Sequence, residues 1–282
     1  MTTAPPATAI LTVGKYHGLG NDFLVALDPE VEPDAALARR LCDRHRGIGA
    51  DGLVVGRRLP ASGGEPLSFR LFNADGSEAE MSGNGLRCLA HAALDAGLVA
   101  EGVPVVVATP AGPRDVVVER RGPAAAWGEV GMGDPEVGPG GGPGDGGDQC
   151  NVDHGQLRVR VGNPHLVVAG PDPAGVDVAV LGPELEWADP ADPAGRNVEF
   201  VALGPGPDEL TMRVWERGVG ETEACGTGSV AAAVAFHHWG RVGPAVTVHQ
   251  PGGSVVVRLS ASGGARLAGP SERVARCEVP LG

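Results

Sequence analysis

Aromatic side chains are scarce in this 282-residue chain, at 4% of positions, so a core has to be built from Val, Leu and Ala. Basic residues are also few: 22 Lys and Arg stand against 35 Asp and Glu, a net charge of −13. That deficit excludes nucleic acid and anionic membrane surfaces as expected partners, because each requires a basic face. Apolar runs never reach the roughly 18 residues of a membrane span, and Met1 to Ile10 lacks the charged and apolar regions of a signal peptide, so a cytoplasmic protein is expected. No CxxC spacing occurs. The five cysteines (Cys42, Cys88, Cys150, Cys225, Cys277) are odd in number and scattered, which predicts neither a disulfide framework nor a zinc site. His237-His238 lacks ligand spacing, so no metal is expected. The only lysine, Lys15, lies in a glycine-rich loop and no motif offers it for a Schiff base, so no cofactor is expected either.

Glycine and proline, by contrast, are abundant, at 46 and 25 residues, and imply many turns between short elements. Within that background Glu221-Thr222-Glu223-Ala224-Cys225-Gly226-Thr227-Gly228 sets one thiol where a glycine-rich turn enters an alanine-rich apolar segment. A thiol at a helix start is a candidate base, since the unpaired N–H groups and the helix dipole lower its pKa from about 8.5 toward neutrality. The same N–H groups can hold a carboxylate beside it.

This motif has a double. Gly76-Ser77-Glu78-Ala79-Glu80-Met81-Ser82-Gly83-Asn84-Gly85 matches it in kind and sets Ser82 opposite Cys225, 143 residues apart, while Gly20-Asn21-Asp22-Phe23 matches Gly162-Asn163-Pro164-His165 at an offset of 142. Two matches at nearly one offset imply an internal duplication, at a period too long for a solenoid. Short strands are predicted at 12–13, 23–27, 53–55, 69–72, 105–108 and 116–119, and again at 159–161, 166–169, 198–203, 210–216, 245–250 and 254–259, with a helix over 34–45. The expected fold class is α+β. Two similar domains, residues 1–132 and 150–267, would each wrap a strongly curved, mostly antiparallel sheet around a central buried helix. Residues 268–282 would pair back onto the first half. The stretch 133–149, whose Gly/Pro/Asp-rich part is 133–147, reads as a linker or loop.

Two facing helix starts would hold a carboxylate on the backbone N–H groups of Gly83, Asn84, Gly226 and Thr227, with Ser82 and Cys225 on either side of it. That geometry suits proton exchange at an α-carbon. The motifs Gly14-Lys15-Tyr16-His17-Gly18-Leu19-Gly20-Asn21-Asp22-Phe23, Phe72-Asn73-Ala74-Asp75-Gly76-Ser77, Gly83-Asn84-Gly85, Gly162-Asn163-Pro164-His165, Arg196-Asn197 and Glu216-Arg217-Gly218-Val219-Gly220-Glu221-Thr222 cover nearly the whole chain. With them the sequence resembles the diaminopimelate epimerases, cofactor-independent epimerases of two similar domains. The resemblance implies conversion of LL- to meso-diaminopimelate, for lysine and peptidoglycan synthesis. It also implies that Asn21, Asn73, Asn163, Asn197, Glu216 and Arg217 hold the amino and carboxylate groups of this small-molecule substrate. Arg217 suits a carboxylate and Glu216 an ammonium, while the asparagines add no charge.

The family pattern has two cysteines, and Ser82 stands where the first would be. A serine hydroxyl is a weak acid and base unless a neighbour activates it. Cys88, further along the same helix, reads as a small packed apolar group. Two alternatives therefore stay open: a weakened or non-catalytic amino-acid-binding homologue, and an epimerase of another amino acid such as a hydroxyproline-like substrate. A dinucleotide site is disfavoured, because Gly18-Leu19-Gly20 leads into Asn-Asp-Phe and not into a GxGxxG helix. Whether the chain forms a homodimer is left open.

Overall fold

The computed structural model describes residues 9–60, 66–141, 155–188 and 193–281. It contains two barrels, each threaded by one buried helix. In the first, β1 (Ala9–Gly18), β2 (Asn21–Leu27), β3 (Gly52–Arg58), β4 (Leu67–Asn73), β6 (Val105–Ala108), β7 (Arg114–Arg120), β8 (Ala125–Gly133) and β17 (Ala265–Leu281) pair in that order, and β17 returns to β1. A short β5 (Glu78–Ala79) lines β4. The second barrel runs β9 (Glu136–Gly141), β10 (Gln156–Val161), β11 (Asn163–Ala169), β12 (Asn197–Leu203), β13 (Glu209–Glu216), β15 (Ala245–Gln250), β16 (Gly253–Leu259), β17, with β14 (Gly220–Thr222) lining β13.

The duplication is visible in the connections. Parallel β2 and β3 are joined by α1 (Ala35–Cys42) and parallel β11 and β12 by α3 (Val178–Glu186), both on the outside. Parallel β4 and β6 are joined through the barrel by α2 (Gly83–Asp95), as β13 and β15 are by α4 (Gly226–His238). Every residue of α2 from Gly83 to Leu94 is buried, and α4 is buried along nearly its whole length, so both helices are mostly apolar, as enclosed helices are, with Arg87 and His91 the basic side chains buried in α2. No helix among the described residues is long and apolar enough to cross a membrane.

Two strands stitch the halves together. The start of β17 pairs with β16 of the second barrel, and its remainder pairs with β1 and β8 of the first. β8 runs on into β9, so the stretch expected to link the halves is a strand over Glu136–Gly141, paired with β10. Glycine at three of its six positions hid a strand that gains its order from its partner and not from its own side chains. The rest of that stretch, from residue 142, lies outside the described residues, as does Cys150. Two further expectations change. The helix expected over 34–45 stops at Cys42, because the Asp43 carboxylate takes the N–H groups of His45 and Arg46 and turns the chain. Lys15 sits in β1 and not in a loop, with its ammonium on Asp22 and on the Gly49 carbonyl.

The apolar residues around α2 and α4 form one continuous core. At its centre the two helix starts meet over Leu267 of β17. A Cβ on Gly83 would come within 2.7 Å of Leu267 Cδ2, and one on Gly226 within 2.9 Å of the same atom and 3.6 Å of Gly83 Cα. Overpacking such a contact costs about 1–3 kcal/mol. Gly83→Val should therefore lower the unfolding free energy by about that amount, and Leu267→Ala, expected to cost about 2–5 kcal/mol alone, should cost less in the Gly83→Val background. Urea denaturation of the two single variants and the double variant checks this, and strictly additive losses would show that the contact is not the constraint.

Candidate active site

Ser82 and Cys225 precede α2 and α4 in the same extended conformation, with φ/ψ of −147°/119° and −125°/117°. Each caps its helix: Ser82 Oγ accepts the Gly85 N–H at 3.0 Å and Cys225 Sγ the Gly228 N–H at 3.3 Å. Capping side chains satisfy N–H groups that a helix start leaves unpaired. Since Gly83 and Gly226 both pack on Leu267, the two caps belong to helix starts that meet between the barrels.

The surroundings of the two caps differ. Cys225 is buried, its N–H is held by Gln250 Oε1 at 2.7 Å, and its sulfur lies 3.5 Å from Thr227 Oγ1. The charge of the nearby Glu216 carboxylate acts on the thiol, and that carboxylate accepts the Thr222 hydroxyl at 2.5 Å. Beneath the first turn of α4, Glu199 and His165 form a fully buried pair, Nδ1 to Oε1 at 2.6 Å, and the other imidazole nitrogen lies 3.0 Å from Asn163 Oδ1. A Cβ on Gly228 would come within 2.7 Å of Glu199 Oε1, which shows how closely this carboxylate underlies the thiol's helix.

The expectation that the helix end draws the thiol toward neutrality is not met in the free site. Burial, and then the charges of Glu216 and Glu199, push the Cys225 thiol well above its ordinary value, against weaker opposing contributions from Thr227 and the Gly228 N–H. Burial likewise raises the Glu216 carboxyl, and the Thr222 and Cys225 hydrogen bonds only partly oppose it. Cys88 is fully buried and pushed up to about 12 by burial, as a packed thiol should be.

Strand register places the matching positions of the first half. Phe23 pairs with Gly52 as His165 pairs with Asn197, so Val54 corresponds to Glu199. Asn73 closes β4 where Glu216 closes β13. Around Ser82 the counterparts of His165, Glu199 and Glu216 are thus Phe23, Val54 and Asn73, and none of them titrates.

The remaining expected residues lie on the facing rims. Asn21 opens β2 and Asn73 closes β4, at one edge of the first barrel; Asn163 opens β11, Asn197 opens β12 and Glu216 closes β13 in the second. Asn73 donates to Ser77 Oγ at 3.0 Å. Buried Asn197 accepts the Arg217 N–H at 2.8 Å, leaving the exposed Arg217 side chain at the mouth with one contact to the Gly195 carbonyl at 3.2 Å. Asn21 donates to Asp51 at 2.8 Å and accepts from Asn84 at 3.0 Å, so its carboxamide is already committed within the protein. Sequence reasoning assigned no role to His165, Glu199, Thr222, Gln250 or Asp51. The readable signal was a charged residue inside an apolar strand, as with Glu199 between Val198 and Phe200.

Fold and site together define the two-barrel epimerase class. Among solved structures the chain is similar to a hydroxyproline epimerase from Agrobacterium vitis with bound trans-4-hydroxy-L-proline, at a TM-score of 0.67 and 19% identity over 97% of this chain and 93% of that one. It is also similar to a PhzF-family phenazine biosynthesis protein from Bacillus anthracis, at a TM-score of 0.72 and 15% identity over 96% and 99%. The diaminopimelate epimerase profile matches residues 13–137 and 157–274. Diaminopimelate epimerases from Pelotomaculum thermopropionicum and Desulforudis audaxviator are 40% and 42% identical, over 94% and 92% of this chain and 98% and 96% of theirs. The chain belongs to the diaminopimelate epimerase family.

Behind the Asn21 rim, Asp22 is held by Arg44 at 2.8 Å and Lys15 at 2.9 Å. Burial alone would raise its pKa, but these two cations outweigh it and hold the carboxyl below its ordinary 3.8. A depressed folded pKa stabilises the fold above the unfolded value and stops doing so as pH falls through the folded value. The stability deficit of Asp22→Asn should therefore be full at neutral pH and shrink as pH falls below about 3.8, the reference for an unperturbed Asp. Urea midpoints from pH 7 to pH 2.5 measure it, and a deficit independent of pH would remove the carboxylate's charge from the account.

Proposed function

We propose that this protein interconverts LL- and meso-diaminopimelate by exchanging the hydrogen on one α-carbon. The observation that carries the proposal is the pair of caps, a thiol on one and a hydroxyl on the other, at helix starts that both pack on Leu267. The α-carboxylate binds the free N–H groups of Gly83, Asn84, Gly226 and Thr227. Cys225 gives its proton to Glu216, and the thiolate then takes the α-hydrogen. The electron pair left on carbon spreads into the carboxylate, where the two helix ends stabilise the growing negative charge. On the opposite face the Ser82 O–H protonates carbon, and water restores the hydroxyl as Glu216 returns its proton to solvent. Arg217, at the mouth, takes the distal carboxylate, with Asn73, Asn163 and Asn197 along the rims. As a step toward lysine and peptidoglycan, the reaction belongs in the cytoplasm.

The Ser82 half-step is the slow one, because none of the matching positions Phe23, Val54 and Asn73 can activate its hydroxyl. A well-matched acid or base contributes about 10²–10⁴-fold. In heavy water, wild type should exchange the α-hydrogen of LL-diaminopimelate at the centre that becomes D, and Cys225→Ala should abolish exchange. Ser82→Cys should raise turnover by about 10²-fold or more. A wild type that exchanges nothing under conditions where Ser82→Cys is active would sink the natural site as an epimerase. Full activity in Ser82→Ala would remove Ser82 from the mechanism.

A further inference from the structure

Arg87 is the one charged residue in the interior of α2, and it is fully buried. No carboxylate among the described residues pairs with it. Its Nη2 donates to Asn84 Oδ1 at 2.6 Å, while Nε and Nη1 have no hydrogen-bond partner among the described residues. Burial draws its pKa down to about 10, which leaves it cationic at neutral pH. A buried cation without a counter-ion is costly, and an apolar side chain of similar volume would pack there at less cost.

The fold nevertheless clears a slot for it. Three strands lack a side chain where the guanidinium lies: a Cβ would come within 3.0 Å of Nη2 at Gly18 of β1, within 2.9 Å of Cγ at Gly128 of β8, and within 2.8 Å of Nη1 at Gly269 of β17. Gly128 and Gly269 face each other in the β8–β17 ladder.

From that slot a directed chain of hydrogen bonds leads to the rim of the cleft. Arg87 donates to Asn84 Oδ1, Asn84 Nδ2 donates to Asn21 Oδ1 at 3.0 Å, and Asn21 Nδ2 donates to Asp51 Oδ2 at 2.8 Å. Arg44 holds the other Asp51 oxygen at 2.7 Å. A guanidinium can only donate and a carboxylate can only accept, so two carboxamides strung between them have one orientation each. Reversing Asn84 would set its NH₂ against the Arg87 fork and its oxygen against that of Asn21.

We propose that Arg87 is a positioning residue: from its glycine-lined slot it fixes the carboxamides of Asn84 and Asn21 in the one orientation that the cleft at the start of α2 uses. It acts through Asn84 and touches no substrate. The activity readout rests on the proposed epimerase reaction; the structural readout does not.

The test compares wild type with Arg87→Met, Arg87→Lys, Asn84→Ala and the Arg87→Met/Asn84→Ala double variant in the full chain. Side-chain amide signals of Asn21 and Asn84, read by NMR with ¹⁵N-asparagine labelling, should be protected from hydrogen exchange in wild type. They should lose that protection at least tenfold in folded Arg87→Met and keep most of it in Arg87→Lys. On diaminopimelate, kcat/KM should fall 10- to 100-fold in Arg87→Met and less in Arg87→Lys, and the double variant should be no worse than Asn84→Ala. Unchanged amide protection in Arg87→Met overturns the proposal whether or not the protein turns over diaminopimelate. If Arg87→Met does not fold, Arg87→Lys decides: activity and protection both lost while the cation and its donor remain would overturn it equally. Independent, multiplicative losses in the double variant would show that Arg87 does not work through Asn84.

Discussion

Gly83 and Gly226 can both pack on Leu267 only because neither has a side chain, and the rest of the site follows from that contact. Leu267 packs under both, so the floor of the cleft is one residue of a strand shared by the two barrels. Each helix start leaves its first N–H groups without helical partners and carries the positive end of a dipole, and the two starts meet at this one place. Stability and chemistry thus rest on the same contact: the continuous core that joins the barrels is the core that brings the two caps together.

On this symmetric frame the chemistry is unequal. Register equates Phe23 with His165, Val54 with Glu199, Asn73 with Glu216 and Ser82 with Cys225, so every titratable partner lies on the second half's side. The thiol faces a carboxyl that can take its proton and lies above a buried imidazole–carboxylate pair. The positions that register equates with these on the hydroxyl's side are apolar or amide. The first half contributes order of another kind, a line of amides held between Arg87 and Asp51. Duplication supplied two identical helix starts, and the side chains around them have since taken different work.

Much of this was legible in the residues. The repeat at nearly constant offset gave two like domains, and the apolar segments after Ser82 and Cys225 gave their buried helices, because a helix surrounded by a barrel is mostly apolar. The strands of both halves were legible where Val, Leu and Phe alternate or cluster. β8 and β9 were not: Gly128, Gly131, Gly133, Gly138 and Gly140 give no strand signal of their own, and these segments are ordered by their ladders to β7, β17 and β10. α3 was missed for a related reason, since it carries an internal Pro183 and no side-chain cap.

The sequence by itself determined the identities of the groups in the cleft, a thiol and a hydroxyl each followed by glycine and a helix, because capping and helix formation are local and depend on neighbours within a turn. The tertiary structure alone decided what those groups are next to. The protonation of Cys225 turns on burial and on Glu216 and Glu199, which come from other strands, and it runs opposite to what the helix end alone would give. Likewise the direction of the Asn84 and Asn21 amides is set by a guanidinium and a carboxylate at the two ends of their chain. Electrostatic effects act through space and strengthen with burial, so they follow contacts that no spacing along the chain reveals.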